Sequence, residues 1–217
     1  MYLRKFSFAL ILSLMTLPTY AEDGSWFVRP YVGLSQMSNL TATSESVGSA
    51  DGSSDIQLDS GFTAGFGVGY QYNENWAAEL AWEYRSNDSE VTLPDGKIYT
   101  DGNYASNIFF ISGFYYFKPF SESIKPYIGA GLSWIQEVDI DLEEGGTELS
   151  YSGDGDLGFQ LFAGIEYTLS DRWALQTELR YGSTGEFDLQ GEESTTGKIN
   201  GLDYEPFTLQ VGAKFNF

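Results

Sequence analysis

Hydrophobic and polar side chains alternate one for one along eight stretches: Trp26–Gln36, Gly61–Tyr72, Trp76–Arg85, Tyr104–Phe117, Pro126–Glu137, Asp156–Leu169, Trp173–Gly182 and Phe207–Phe217. A period of two marks an extended strand, whose successive side chains point to opposite faces. Each stretch is at least as long as the roughly 9–11 residues a tilted strand needs to cross a bilayer. Strands of soluble sheets are shorter, about 5–6 residues. The connections are uneven. Asn73–Asn75, Lys118–Lys125 and Ser170–Arg172 are short, whereas residues 37–60, 86–103, 138–155 and 183–206 are long and rich in Gly, Ser, Asp and Glu. Long structureless loops are unusual in a compact soluble domain. Short turns at one end and long loops at the other are what a membrane barrel shows. The pattern predicts an all-β fold, an eight-stranded antiparallel up-and-down transmembrane barrel.

The alternation also assigns the two faces. With the apolar face outward, Trp76, Leu80, Trp82 and Tyr84 look away from the axis, and Glu79, Glu83 and Arg85 look toward it. Likewise Leu161, Ile165 and Tyr167 oppose Gln160 and Glu166, and Leu175, Leu179 and Tyr181 oppose Gln176, Glu178 and Arg180. Of the nine basic residues beyond residue 21, Arg29, Arg85, Arg180 and Lys214 fall inside, Lys118, Lys125 and Arg172 at short turns, and Lys97 and Lys198 in long loops. None lies on the apolar face, where a Lys or Arg at mid-bilayer would cost about 2–4 kcal/mol. An eight-stranded barrel is just wide enough for side chains to fill it. Arg29, Arg85, Arg180 and Lys214 with Glu79, Glu83, Glu166 and Glu178 are therefore expected to form an ion-pair plug, since an unpaired buried charge is costly. A gated polar pathway is the other reading of the same residues. Inward Gly65, Gly67, Gly69, Gly129 and Gly131 would relieve crowding. The stretch Ile108–Phe117 is apolar on both faces, so its register is ambiguous.

Two hairpins share one spacing of rings. Tyr70, Trp76 and Tyr84 repeat as Tyr167, Trp173 and Tyr181. In each, the first two rings flank a short turn and the third lies near a long loop. This predicts aromatic girdles at both edges of an apolar band. A soluble sandwich or lipocalin-like barrel would invert the roles of the faces. Strand length, ring placement and loop asymmetry favour the membrane.

The first residues read differently. Arg4 and Lys5 precede an apolar run from Phe6 to Leu17, then Pro18 and Thr19-Tyr20-Ala21. This predicts a secretory signal peptide over residues 1–21, cleaved after Ala21, and a barrel domain over 22–217. The run is too short for a membrane helix. The formal charge of −20 becomes −22 without Arg4 and Lys5, with nine basic residues against 31 acidic. So acidic a surface argues against nucleic acid and against polybasic docking on anionic lipid. There is no cysteine and no histidine, which removes disulfides, Ser–His catalysis and the usual zinc sites. No enzyme activity and no cofactor are expected. Glu137–Gly146 and Gly153–Gly158 concentrate carboxylates, oxygen ligands suited to weakly held divalent cations; a solvated acidic loop is the alternative.

The chain ends "FTLQVGAKFNF". Gln210, Gly212, Phe215 and Phe217 match the polar-x-Gly-x-x-aromatic-x-aromatic ending of many bacterial outer-membrane proteins. "KPYIGAGLSW" (Lys125–Trp134) resembles a segment of small OmpA/OmpX-like barrels. The resemblance covers the chain after Ala21 and implies a Gram-negative outer-membrane location with both ends periplasmic. It implies that the terminal pattern is read by the barrel-assembly machinery. It departs from OmpA in ending at the barrel. Membrane lipid, lipopolysaccharide and an extracellular ligand are the partners it points to, with a monomer as the expected state. Two functions follow. One is a structural or surface-interaction protein, serving adhesion or envelope integrity through four acidic loops. The other is a channel for small or hydrophobic solutes, in the manner of OmpW-like barrels, with Phe109–Phe117 lining a lateral or luminal route.

Overall fold

The computed structural model describes residues 24–153, 157–192, 195–203 and 205–217. The expected signal peptide lies outside them. Among the described residues thirteen antiparallel strands form one sheet: β1 (Ser25–Met37), β2 (Leu40–Val47), β3 (Ala50–Leu58), β4 (Gly61–Gln71), β5 (Trp76–Thr92), β6 (Ile98–Tyr116), β7 (Ile124–Glu144), β8 (Thr147–Gly153), β9 (Leu157–Thr168), β10 (Trp173–Thr184), β11 (Phe187–Gly191), β12 (Lys198–Leu202) and β13 (Pro206–Asn216).

The sheet closes on itself twice. A lower circuit runs β1, β4, β5, β6, β7, β9, β10, β13 and back to β1. An upper circuit runs β2, β3, β5, β6, β7, β8, β11, β12 and back to β2. Strands β5, β6 and β7, up to 21 residues long, belong to both. The last strand pairs with the first from Phe27↔Asn216 to Met37↔Pro206, so the barrel has no free edge there. Closure is what a bilayer demands, since an exposed strand edge in hydrocarbon would leave amides unsatisfied.

The four long connections are not structureless, which corrects the expectation of strands joined only by irregular loops. They carry β2, β3, β8, β11 and β12 and the upper ends of β5, β6 and β7. The reason is visible on β7. Below Gln136 the inward residues are odd-numbered, including Tyr127, Ser133 and Ile135; above it they are Val138, Ile140 and Leu142, all fully buried. The pairing with β6 slips there, with Ile108 opposite Ile135 but Asn107 opposite Glu137. One extra residue in a strand exchanges its two faces. Similar slips occur between Ser89 and Val91 and between Ser44 and Val47.

The two circuits face opposite ways; on β7 the slip brings this about, whereas β5 keeps its odd-numbered residues inward from Ala77 to Val91 and β6 its even-numbered ones from Gly102 to Tyr116. In the lower circuit the outward face is apolar: Leu80 is 62% and Leu132 63% exposed. In the upper circuit the apolar residues turn inward, and Val47, Ile56, Val91, Tyr99, Tyr104 and Leu189 join one buried cluster with Val138, Ile140 and Leu142. A cylinder that is oily outside suits lipid, and one that is oily inside suits water.

Candidate functional site

Inside the lower circuit the side chains form a ladder along the axis. Arg29 on β1 donates from Nε and Nη2 to the two carboxylate oxygens of Glu79 on β5, at 2.8 and 2.6 Å. Its Nη1 lies 3.7 Å from Glu178 on β10. Glu178 accepts from Arg180 (2.8 Å), Gln210 (2.8 Å) and Tyr127 (3.0 Å). Arg180 continues to Glu83 (3.2 Å), and Arg85 bonds the other Glu83 oxygen (2.7 Å) and the Ser35 hydroxyl. Nearer the short turns, Lys214 meets Glu166 at 3.2 Å, and Gln176 joins Glu166 to the Tyr116 hydroxyl. Four cations and four carboxylates are thus brought together, all but Glu166 buried. Each carboxylate takes charge-assisted bonds, the compensation a buried charge needs.

Rings fill what the ions leave. Phe27, Phe114, Tyr116, Tyr127 and Phe162 pack as a second cluster within the lumen. The register of β6 is settled by it: Ile108, Phe110, Phe114 and Tyr116 point inward, while Phe109, Ile111 and Tyr115 point outward. Glycines face the largest inner groups. A methyl on Gly65 would meet the Tyr31 ring, on Gly69 the Phe27 ring, on Gly129 the Phe162 ring, and on Gly67 the Glu79 carboxylate. A small cavity of about 10 Å³ lies between Arg85, Arg180, Phe110, Gln160, Gly182 and Pro206. That is room for about one water. At the short-turn end an open bowl of about 780 Å³ is walled by Lys125, Arg172, Lys214, Glu74, Glu166 and Asp171.

The ring girdles stand at the two edges of the outward apolar band. At the short-turn edge Trp26 packs on Tyr70 (5.3 Å between centroids), Trp76 on Tyr115 (4.9 Å) and Trp173 on Phe215 (4.8 Å). Tyr167 and Trp173 are exposed on that face. At the other edge lie Tyr84 against Phe62, Phe109 against Trp134, and exposed Tyr181. Of the terminal pattern, Gln210 and Gly212 face inward, Phe215 and Phe217 pack edge to face at 5.2 Å, and the Phe217 amide bonds Trp26. Gln210 thereby does something the terminal pattern did not suggest, since it completes the shell of Glu178.

Above the band the pairing of the described residues has a break: β10 and β13 pair up to Tyr181↔Phe207, and β11 and β12 pair from Phe187↔Leu202. Pro206, which has no amide hydrogen to donate, sits at the break beside Gly182. The Tyr181 hydroxyl spans it to Glu205 at 3.1 Å.

The clustered carboxylates of Glu137–Gly146 lie on β7 rather than in a loop, with Glu137, Asp139 and Asp141 on its water-facing side. Burial, then Glu137, Glu192 and Asp141, push the Asp139 carboxyl up to about 6. Among the described residues no three such groups converge as a metal site; Asp154 and Asp156 lie outside them. The apolar upper interior was not foreseen. Its signal is the alternation Leu40-Ala42-Ser44 and Val138-Ile140-Leu142 inside segments that look polar overall.

Comparison with known proteins agrees with this geometry. Outer membrane protein W of Vibrio cholerae is 20% identical over 216 residues, which is 96% of each chain. The crystal structure of OprG from Pseudomonas aeruginosa superposes with a TM-score of 0.64 at 15% identity, covering 89% of this chain and 96% of that one. AlkL, solved in lipid bilayers, gives 0.56 at 18% identity, covering 93% and 95%. Residues 7–217 match the family described as outer membrane protein beta-barrel domain. The chain belongs to that family and is an outer-membrane β-barrel protein related to OmpW.

Proposed function

We propose that the eight strands of the lower circuit cross the membrane and that the protein takes small apolar solutes from the outside into the outer leaflet. One observation carries this reading: along a single axis, an apolar-walled cylinder ends on an ion-paired floor. An apolar molecule is favoured in the cylinder by the same transfer free energy that buries its side chains, about 25 cal/mol per Å². It is refused by the floor, where the charges would lose their partners. The interruption between β10 and β13, at the height of the outer girdle, gives it a sideways exit toward lipid. A polar solute finds no wet path through the floor. The eight lumen charges act as a seal in this account, and no chemical reaction is involved.

The test is uptake of an apolar fluorescent probe into vesicles containing the protein, alongside planar-bilayer recording. Probe transfer faster than in protein-free vesicles, with no steady ion current, is expected. A steady current with no gain in probe transfer would overturn the reading in favour of a polar channel. A second reading, contact with cationic partners at the cell surface, is supported by the acidic outer face of β7. It predicts binding that survives a block of solute transfer.

A further inference from the structure

This inference rests on the reading above and concerns the chemical class of the solute. The small cavity beside the upper end of the ion ladder has two kinds of wall. One is polar, made by Arg85, Arg180, Gln160 and Thr208. The other is apolar, made by Ile108 and Phe110 of the cylinder's buried cluster together with Pro206 and the outward Phe159. The ion-paired floor and the oily cylinder therefore meet at this place. The polar wall is incompletely bonded. Gln160 and Thr208 are 1% and 0% exposed, and Gln160 Oε1 and Thr208 Oγ1 have no hydrogen-bond partner among the described residues. The other end of the same amide is engaged, with Gln160 Nε2 donating to Ser112 at 2.7 Å. Thr63 and Ser106, the register partners of Arg85 on β4 and β6, also carry buried hydroxyls without a partner among the described residues. Buried polar atoms are paired almost everywhere in native proteins, so orphans gathered around Arg85 call for a reason.

We propose that this cavity is a head-group subsite for a neutral hydroxyl, and that the preferred solute is a long-chain primary alcohol rather than a bare hydrocarbon or a fatty acid. The volume of about 10 Å³ admits one oxygen and not the two of a carboxylate. Gln160 Oε1 requires a donor, which a hydroxyl has and a carboxylate lacks. The same hydroxyl can accept from Thr208 Oγ1. An ammonium head would also donate, but it would face two guanidiniums. Those guanidiniums are already engaged, Arg85 with Glu83 and Ser35, and Arg180 with Glu83 and Glu178. An anionic head would have to compete with these buried pairs for donors in use. A hydrocarbon would leave both orphaned oxygens as they are. The alkyl chain of an alcohol lies on the apolar wall, against Ile108 and Phe110, where burial favours it.

The test uses the full chain in phospholipid vesicles, with decanol, decane and decanoate as competitors of the apolar fluorescent probe. At equal content in the membrane, decanol should displace the probe at roughly a tenth of the concentration of decane, the worth of one or two hydrogen bonds. Thr208→Val keeps the shape of the side chain and removes its hydroxyl. That change and Gln160→Leu should each bring decanol down toward decane, whereas Thr208→Ser should keep the difference. Decane itself should compete alike in all of them. Solid-state NMR of decanol isotope-labelled at its carbinol carbon should place that carbon beside the Gln160 side-chain nitrogen. Equal competition by decanol and decane, decanoate matching or exceeding decanol, a decanol preference untouched by Thr208→Val and Gln160→Leu, or no carbinol contact with Gln160 overturns the subsite. A carbinol carbon beside Gln160 in a protein that speeds no probe transfer would instead sink the transport reading and leave the subsite standing.

Discussion

Glu178 is the most heavily bonded group of the lumen, shared by Arg180, Gln210, Tyr127 and, at longer range, Arg29. Glu178→Ala takes from Arg180 one of its two carboxylate partners and from Arg29 its longer-range one, and leaves the Gln210 amide and the Tyr127 hydroxyl without their acceptor where water does not reach. A loss of about 3–5 kcal/mol is expected from urea unfolding in phospholipid vesicles, as for other broken buried pairs. The outer face gives the complementary test. Leu132→Arg puts a cation toward hydrocarbon and should cost about 2–4 kcal/mol in the same assay. Which face each charge occupies was legible from the alternation of Trp76–Arg85 and Trp173–Gly182. Which cation meets which carboxylate was not. Arg29 and Glu79 are 50 positions apart, and their meeting depends on the stagger between strands, which side-chain alternation does not encode.

At the scale of elements, Gln136 decides more than its polar side chain suggests. It is the extra residue that turns Val138, Ile140 and Leu142 from the outward to the inward face. Deleting Gln136 should remove the bulge yet keep Val138, Ile140 and Leu142 inward, since Ile135, Glu137 and Val138 then alternate in, out, in; deleting Asp139, beyond the bulge, should instead turn Ile140 and Leu142 to water. The upper cylinder should then become open to protease at β8, while the lower barrel keeps its resistance to unfolding by detergent and mild heat. The alternating stretches located every strand of the lower circuit to within a few residues, because their period held unbroken from girdle to girdle. The strands above were missed because β7 changes phase at Gln136 and β6 between Tyr99 and Gly102, and because the composition is acidic and small. Alternation that reverses partway averages to nothing when a whole segment is read at once. Deletion of residues 139–155, which reads as trimming a loop on sequence, removes the top of β7 and all of β8. It should therefore collapse the cylinder.

For the whole molecule, the same chain solves two solvation problems in series. The lower circuit turns its oil outward and pairs its charges within; the upper circuit turns its oil inward and its carboxylates to water. Of the basic residues in the described structure, only Lys97 and Lys198 belong to the upper part. Its outer surface is accordingly a strongly anionic one, and raised salt should weaken any association with a cationic surface partner while leaving apolar uptake unchanged. A nitroxide scan along β7, read for collision with oxygen and with a water-soluble nickel chelate, tests the inversion most directly. Labels at Ile128, Ala130 and Leu132 should collide with oxygen alone, those at Glu137, Asp139 and Asp141 with nickel, and those at Val138 and Ile140 with neither. If the lipid-type response continued instead through Val138 and Ile140, or if these positions met nickel freely, the two-cylinder account would be wrong.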